Sequence, residues 1–499
     1  MTLPRTPAAL ALAPAGLAAA ALLLAACTGG AEAPEGEPAT GRVDDGQVAD
    51  AAGVGVSDAV DLDVALSEPV RDPVYPEVGQ PGVDALHYGL DLGWSPDSRT
   101  LDAVQTLVFR ATRDADEFRL DFGAALEATS VAVDGEVASF EEVGDELVIA
   151  SSVTADERYT VEIEYGGTPQ PVAAPTTRSD FSRLGWTITD DGETWTMQEP
   201  YGAHSWYAVN DHPSDKALYD FRMRVPAPWS GVANGELTSR EVVDGTTVTE
   251  WHLDEPAAAY LVTAAFGDFR MSRAESASGV PVTYWTPRGD ARALRAVRAA
   301  HRELGWVEQR LGAYPFSTLG VLVVDSRSGM ETQTMITLGN TDYTLSPQVV
   351  VHELVHQWWG NQVGPTDWYD MWLNEGMAMY LQAVWEADRG YRPLEDTLRW
   401  WAAADQAARD EAGPPAAYDP TAFGQGNVYQ LPALMWHEVR DRIGDELFWE
   451  LVREWPRADD DGHVSYEEAV SWWSEQSGED LAPLFEAWLL GETSPPFTP

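Results

Sequence analysis

The run His352-Glu353-Leu354-Val355-His356, followed after eighteen residues by Glu375 in Asn-Glu-Gly, restricts the possible folds of this chain more than any other stretch. At 3.6 residues per turn, positions i and i+4 share one helix face, so His352 and His356 can reach a common point while Glu353 lies to the side. Val349, Val350, Val351, Leu354, Val355, Trp358 and Trp359 flank the histidines, which predicts a buried helix ending near Gly360. Glu375 opens a second periodic run containing Met377, Met379, Tyr380, Leu381 and Val384. Side chains from two neighbouring helices must therefore converge.

The chemistry follows from the residue types. Two imidazoles and a carboxylate leave the fourth tetrahedral position of a zinc ion to water, whereas structural zinc sites are closed by four protein ligands and usually contain cysteine. His352, His356 and Glu375 are the expected ligands of one Zn2+, and Glu353 is the expected general base, the pattern of a metallopeptidase. The competing reading is two histidines satisfied within an apolar core. With 9 histidines in 499 residues, His-Glu-x-x-His arises by chance on the order of one time in a hundred.

At 499 residues the chain exceeds a single typical core, and 44% hydrophobic residues with 21 tryptophans can fill more than one. The formal net charge is -50 and Lys216 is the only lysine, so nucleic-acid phosphates would be repelled and nucleic acid is not an expected partner. From Asp84 to about Arg270 short alternating runs predominate, among them Thr100 to Phe109, Thr160 to Tyr165 and Leu218 to Val225. With Gly, Asp and Pro between them, these predict a largely antiparallel β domain over residues 79–271. Helices dominate after Pro287: Ala291 to Leu311 reads as one helix, Thr318 to Val324 as a strand, and further helices continue through Leu490.

Residues 1–26 read as an export signal, with Arg5 at its start and an almost wholly apolar stretch from Ala8 to Ala26. Leu24-Ala25-Ala26-Cys27 resembles a bacterial lipobox, and Cys27, the only cysteine, is the expected lipidation site. An extracytoplasmic, envelope-anchored lipoprotein is expected; an uncleaved membrane anchor is the alternative, although Pro14 and Gly16 interrupt the span. Residues 27–78 are rich in Ala, Gly, Pro, Asp and Glu and read as a disordered tether.

The whole pattern resembles the zinc aminopeptidase family that includes the alanyl aminopeptidases and the bifunctional leukotriene hydrolase. Ser328-Gly329-Met330-Glu331-Thr332 resembles that family's Gly-Ala-Met-Glu-Asn loop, with Thr332 in place of Asn. Glu199-Pro200, then Asp211-His212-Pro213 and Lys216-Ala217, resembles its Glu-Pro to Asp-Glu-Pro segment, and Val428-Tyr429-Gln430 the segment carrying its catalytic tyrosine. The resemblance covers about Asp84 to Trp488. It implies an α+β multidomain fold: an N-terminal antiparallel β-sandwich or saddle domain, then a thermolysin-like, mostly helical catalytic domain over residues 272–499. It further implies that Glu199, Gly329, Met330 and Glu331 bind substrate, with the two glutamates holding the α-amine of peptides that have a free N-terminus. Tyr429 is then the donor to the oxyanion.

Many such proteins continue into a large C-terminal helical domain, for which the ten residues after Leu489 leave no room, so a cleft that is more open, or covered by a second subunit, is expected. Arg327 could line the pocket for the first side chain of the substrate, or simply pair with Asp325. Asp459-Asp460-Asp461-Gly462 resembles part of a calcium loop but reads better as a solvated turn. The alternatives to an aminopeptidase are a zinc endopeptidase or other zinc hydrolase with an open cleft, and a non-catalytic peptide-binding lipoprotein. The intact Glu353 argues against the last.

Overall fold

The computed structural model describes Val54 and residues 60–458 and 461–497. The export signal, Cys27, most of the tether and Asp459 and Asp460 lie outside the described residues.

Alternation becomes strand as expected. In Arg158–Gly167, Val161, Ile163 and Tyr165 are buried while Glu162 and Glu164 are exposed, so the strand presents one apolar face. It belongs to an eight-stranded sheet that runs, edge to edge, through Glu236–Val243, Thr246–Ala258, Lys216–Pro226, Val83–Ser95, Thr100–Ala111, Arg158–Gly167, Leu126–Val133 and Glu136–Val137. All neighbours are antiparallel except Val83–Ser95 and Lys216–Pro226, which run parallel at the sheet's centre. A five-stranded sheet built from Val172–Ala173, Arg183–Ile188, Thr194–Met197, Ser230–Ala233 and Ala264–Gly267 shares its core, with Trp94 and Trp186 rings 5.6 Å apart.

The second half opens with a mixed sheet ordered Phe269–Glu275, Pro281–Pro287, Leu319–Val324, Met335–Gly339 and Gly329–Met330. The expected boundary at residue 271 falls inside Phe269–Glu275, which pairs with Pro281–Pro287, so the change of sheet occurs near Asp268. The tether also ends earlier than expected. The Asp72 carboxylate is buried and accepts from the backbone amides of Val74, Tyr75 and Trp368, and the Tyr75 hydroxyl donates to the Pro420 carbonyl, which fastens residues 72–75 to the folded body. The expected helix from Ala291 to Leu311 is two helices, Ala291–Val297 and Ala300–Leu311, because the Ala299 amide takes a tighter i−3 bond to Ala296 at the joint. Among the described residues no helix is long and apolar enough to cross a membrane.

Three helices position the site. Pro347–His356 begins with Pro at its first turn, where the missing N–H costs nothing, and every residue from Val349 to His356 is buried. Its exit turn closes at Gly360, whose φ of 118° suits glycine. Met371–Asp388 places Glu375 in its second turn rather than at its start. Gly426–Ile443 carries Tyr429 in its first turn.

The last two helices approach unusually closely. A Cβ at Gly376 would lie 2.4 Å from Cβ of Pro432, so the absence of a side chain beside Glu375 sets the distance to the helix that carries Tyr429. Gly376→Ala should therefore destabilise the protein. Overpacking of about 1–3 kcal/mol outweighs the usual helix gain of about 1 kcal/mol, and calorimetry should show a lower Tm. An unchanged or higher Tm would contradict this packing argument.

Candidate active site

His352 and His356 project from successive turns of one helix, and their Nε2 atoms stand 3.1 Å apart. Oε2 of Glu375 lies 3.1 Å from Nε2 of His352 and 3.5 Å from Nε2 of His356. One ligand atom from each of the three falls within 4.8 Å of the others. Nδ1 of His356 is 3.1 Å from the Trp359 carbonyl, a contact that makes Nδ1 the protonated donor and turns the Nε2 lone pair toward the cluster. Three buried donors of this kind, with no cysteine among them, suit one zinc ion and leave part of its coordination sphere to a non-protein ligand.

The cluster of carboxylates draws positive charge to this point. Burial alone would depress His356, but the Glu331 and Glu375 carboxylates push it up to about 10. Burial opposes ionisation of Glu375, yet the His356 and His352 imidazoles hold it well below the ordinary carboxylate range. Glu353 is raised well above that range by burial and by the nearby Glu331 charge. Four acidic side chains, Glu199, Glu331, Glu353 and Glu375, thus share one buried region, an arrangement that a bound cation stabilises.

The loop residues expected to touch substrate all line the same cleft as the metal ligands. Gly329 and Met330 form a short edge strand against Met335–Gly339. The Glu331 carbonyl accepts from Nε2 of Gln357 at 2.9 Å and Nδ2 of Asn361 at 2.8 Å, which ties the loop to the turn after the metal helix. A Cβ on Gly329 would meet Oε1 of Glu353 at 2.5 Å, so the end of that carboxylate side chain occupies the space beside the glycine. Thr332 does not line the cleft: it is fully buried, and its hydroxyl is engaged by the Met335 carbonyl and by Oγ1 of Thr337 at 2.9 Å.

Glu199 comes from the β half. Beside it, Nε2 of Gln198 donates to the Ala259 carbonyl at 2.7 Å, and the Asp211 carboxylate gathers the Gly202 and His204 amides at 2.9 and 3.2 Å. Carboxylate oxygens of Glu199, Glu331 and Glu375 lie within 4.8 Å of one another. Glu199 and Glu331 each bury an oxygen that has no donor among the described residues. Burial and the neighbouring negative charges raise Glu199 well above its ordinary value. The Tyr429 ring stacks on His352, with centroids 6.2 Å apart. Arg327 also lines the cleft, and among the described residues it forms no ion pair with Asp325.

Sequence reasoning missed Arg178, Asp180 and Phe181, which line the cleft from a loop of the β half. Nη1 of Arg178 donates to the Tyr429 hydroxyl at 3.2 Å. No motif marks this loop: Thr-Thr-Arg-Ser-Asp-Phe-Ser reads as an ordinary polar connection, and only the tertiary fold brings it 251 residues along the chain to Tyr429.

Known proteins show the same two-part order. The Peptidase M1 N-terminal domain matches residues 84–261, and the Peptidase family M1 domain matches residues 295–488. Glutamyl aminopeptidase of Rattus norvegicus is 30% identical over 235 residues, which are 42% of this chain and 25% of that protein. Aminopeptidase N of Streptomyces lividans is 22% identical over 437 residues, 82% of this chain and 50% of that one. The chain thus spans half or less of the length of these relatives. The crystal structure of an M1 zinc metallopeptidase mutant from Deinococcus radiodurans, bound to a Tyr-Ser-Ala substrate, superposes with a TM-score of 0.75 at 24% identity. It covers 86% of this chain and 99% of that one, a likeness of fold across both halves. With its β half and its helical half each matched, in that order, this chain belongs to peptidase family M1.

Proposed function

We propose that the protein is a zinc aminopeptidase that removes single residues from the free N-terminus of peptides. The observation that carries the proposal is the pair of carboxylates from half-buried Glu199 and buried Glu331, each with a covered oxygen that lacks a donor among the described residues, beside the metal ligand Glu375. A protonated α-amine supplies both the charge and the donors such a pair lacks, through charge-assisted hydrogen bonds. Holding the amine there leaves only the first peptide bond within reach of the catalytic groups, which sets the register.

Zn2+ held by His352, His356 and Glu375 supplies Lewis acidity that polarises a carbonyl and lowers the pKa of water to about 7. Glu353, next to a ligand on the same helix, takes the proton of the attacking water and returns it to the leaving amine. Burial and the neighbouring Glu331 charge raise its proton affinity, which favours uptake of that proton. The Tyr429 hydroxyl donates to the carbonyl oxygen as negative charge develops there, without itself carrying charge. The Deinococcus radiodurans metallopeptidase mutant named as bound to a Tyr-Ser-Ala substrate, and the relatives named aminopeptidases, support the same reading.

Comparison of a free peptide with its N-acetylated form tests the proposal. The free peptide should lose its first residue, the blocked peptide should remain intact, and a chelator should stop the reaction. Equal cleavage of both peptides would establish an endopeptidase instead. Glu353→Gln should leave the protein folded but lower kcat by on the order of a hundredfold or more. A kcat like that of the unaltered protein would remove Glu353 from the role of base at this position. We also propose export and lipid anchoring at Cys27, on the lipobox-like sequence. Cys27→Ser should shift the protein from the detergent-extracted membrane fraction to the soluble extracytoplasmic fraction; unchanged membrane retention would exclude the thioether anchor.

A further inference from the structure

Tyr429 is held by a cation delivered from the other half of the molecule. Arg178 sits between the strands Val172–Ala173 and Arg183–Ile188. Its Nε and Nη2 donate to the two oxygens of Asp180 at 3.1 and 2.5 Å, a two-point contact that fixes the plane of the guanidinium. The Phe181 ring covers that plane at 4.3 Å. Nη1 then makes two further bonds, to the Gly424 carbonyl at 2.7 Å and to the Tyr429 hydroxyl at 3.2 Å. Gly424 lies two residues before the helix that carries Tyr429, so one side chain grips both the helix entrance and the functional group on its first turn.

The direction of the bond matters. A phenol that accepts from Arg178 keeps its own proton for donation elsewhere, and a charged donor at its oxygen makes that proton a stronger hydrogen-bond donor. The Phe423 to Gln425 segment has separate tethers to the same loop: Oγ1 of Thr176 donates to the Phe423 carbonyl at 2.6 Å, and Nε2 of Gln425 to Oγ1 of Thr177 at 2.7 Å. Those contacts can hold the segment without a charge. The charge therefore has a use beyond holding it.

We infer that Arg178 is a positioning and polarising residue for Tyr429, through which the β half of the molecule takes part in stabilising the oxyanion. The inference rests on the aminopeptidase reading above. Its effect should appear when negative charge develops on the carbonyl oxygen, and little before.

A double-mutant cycle on the full-length, zinc-loaded protein tests it. Arg178→Met, which keeps the apolar stem, should lower kcat on an aminoacyl anilide by on the order of tenfold to a hundredfold with KM little changed. In a Tyr429→Phe background the same substitution should have almost no further effect, because the group it acts through is gone. Gln425→Ala, which removes a tether but leaves the cation, should retain a kcat near that of the unaltered protein. Equal factors for Arg178→Met in both backgrounds, or a Gln425→Ala protein as slow as Arg178→Met, would overturn the inference and reduce Arg178 to a loop fastener. Calorimetric titration with a phosphinic pseudodipeptide, whose phosphinate oxygen resembles the oxyanion, gives a readout without turnover. Affinity should fall with Arg178→Met only where Tyr429 is present, and a fall of equal size in both backgrounds would again overturn it. Absence of turnover in the unaltered protein would instead sink the aminopeptidase reading, while the titration would still decide the role of Arg178.

Discussion

The concentration of buried negative charge around two imidazoles governs this structure. Glu199, Glu331, Glu353 and Glu375 share one cleft with His352 and His356, and an isolated buried carboxylate is expensive to ionise. The imidazoles take part of that charge, and a bound cation would take a further part. The opposite displacements of Glu375 and Glu353, one held low by the imidazoles and the other raised by burial, set the two acids apart in the sense that the proposed roles of ligand and proton carrier require. Environment, rather than residue type, assigns these roles.

Such a cluster requires rigid support, and the surrounding packing provides it. The close contact of Gly376 with Pro432 sets the spacing of two site helices, and the Glu331 carbonyl is pinned by Gln357 and Asn361 from the turn that follows the third. Lys216, the only lysine, is buried and donates from the large sheet to the Asn361 and Gln362 carbonyls at 2.9 Å each. Tyr260 joins the same turn to the β half through the Gly360 carbonyl. The β half is thus a structural wall of the active site as well as the source of Glu199 and Arg178. Small errors in such supports translate into large losses of rate, because reacting groups must meet within a fraction of an ångström.

Much of this was legible in the residues. A period of 3.6 with apolar flanks placed both histidines on one buried helix, and period-two alternation identified the strands of the large sheet, since both patterns are local consequences of backbone geometry. Boundaries were less legible. The tether was drawn to residue 78 because its composition is poor in large apolar groups, yet buried contacts of Asp72 and Val74 secure that stretch to the body. The helix from Ala291 was drawn unbroken because nothing in its side chains announces the tighter turn at Ala299. Thr332 stands where the resembled loop has Asn, but its hydroxyl faces the interior.

The sequence by itself determined the kind of chemistry: ligand spacing on a helix is set by the helical repeat, so His352, Glu353 and His356 needed no tertiary information to be recognised as a unit. Tertiary structure alone decided which distant groups complete it. Arg178 and Tyr429 meet through the packing of a sheet loop on a helix start, and Gly329 is distinguished from other glycines only by the carboxylate that fills the space beside it. Contacts of this kind depend on how whole elements stack, which leaves no periodic trace in the chain.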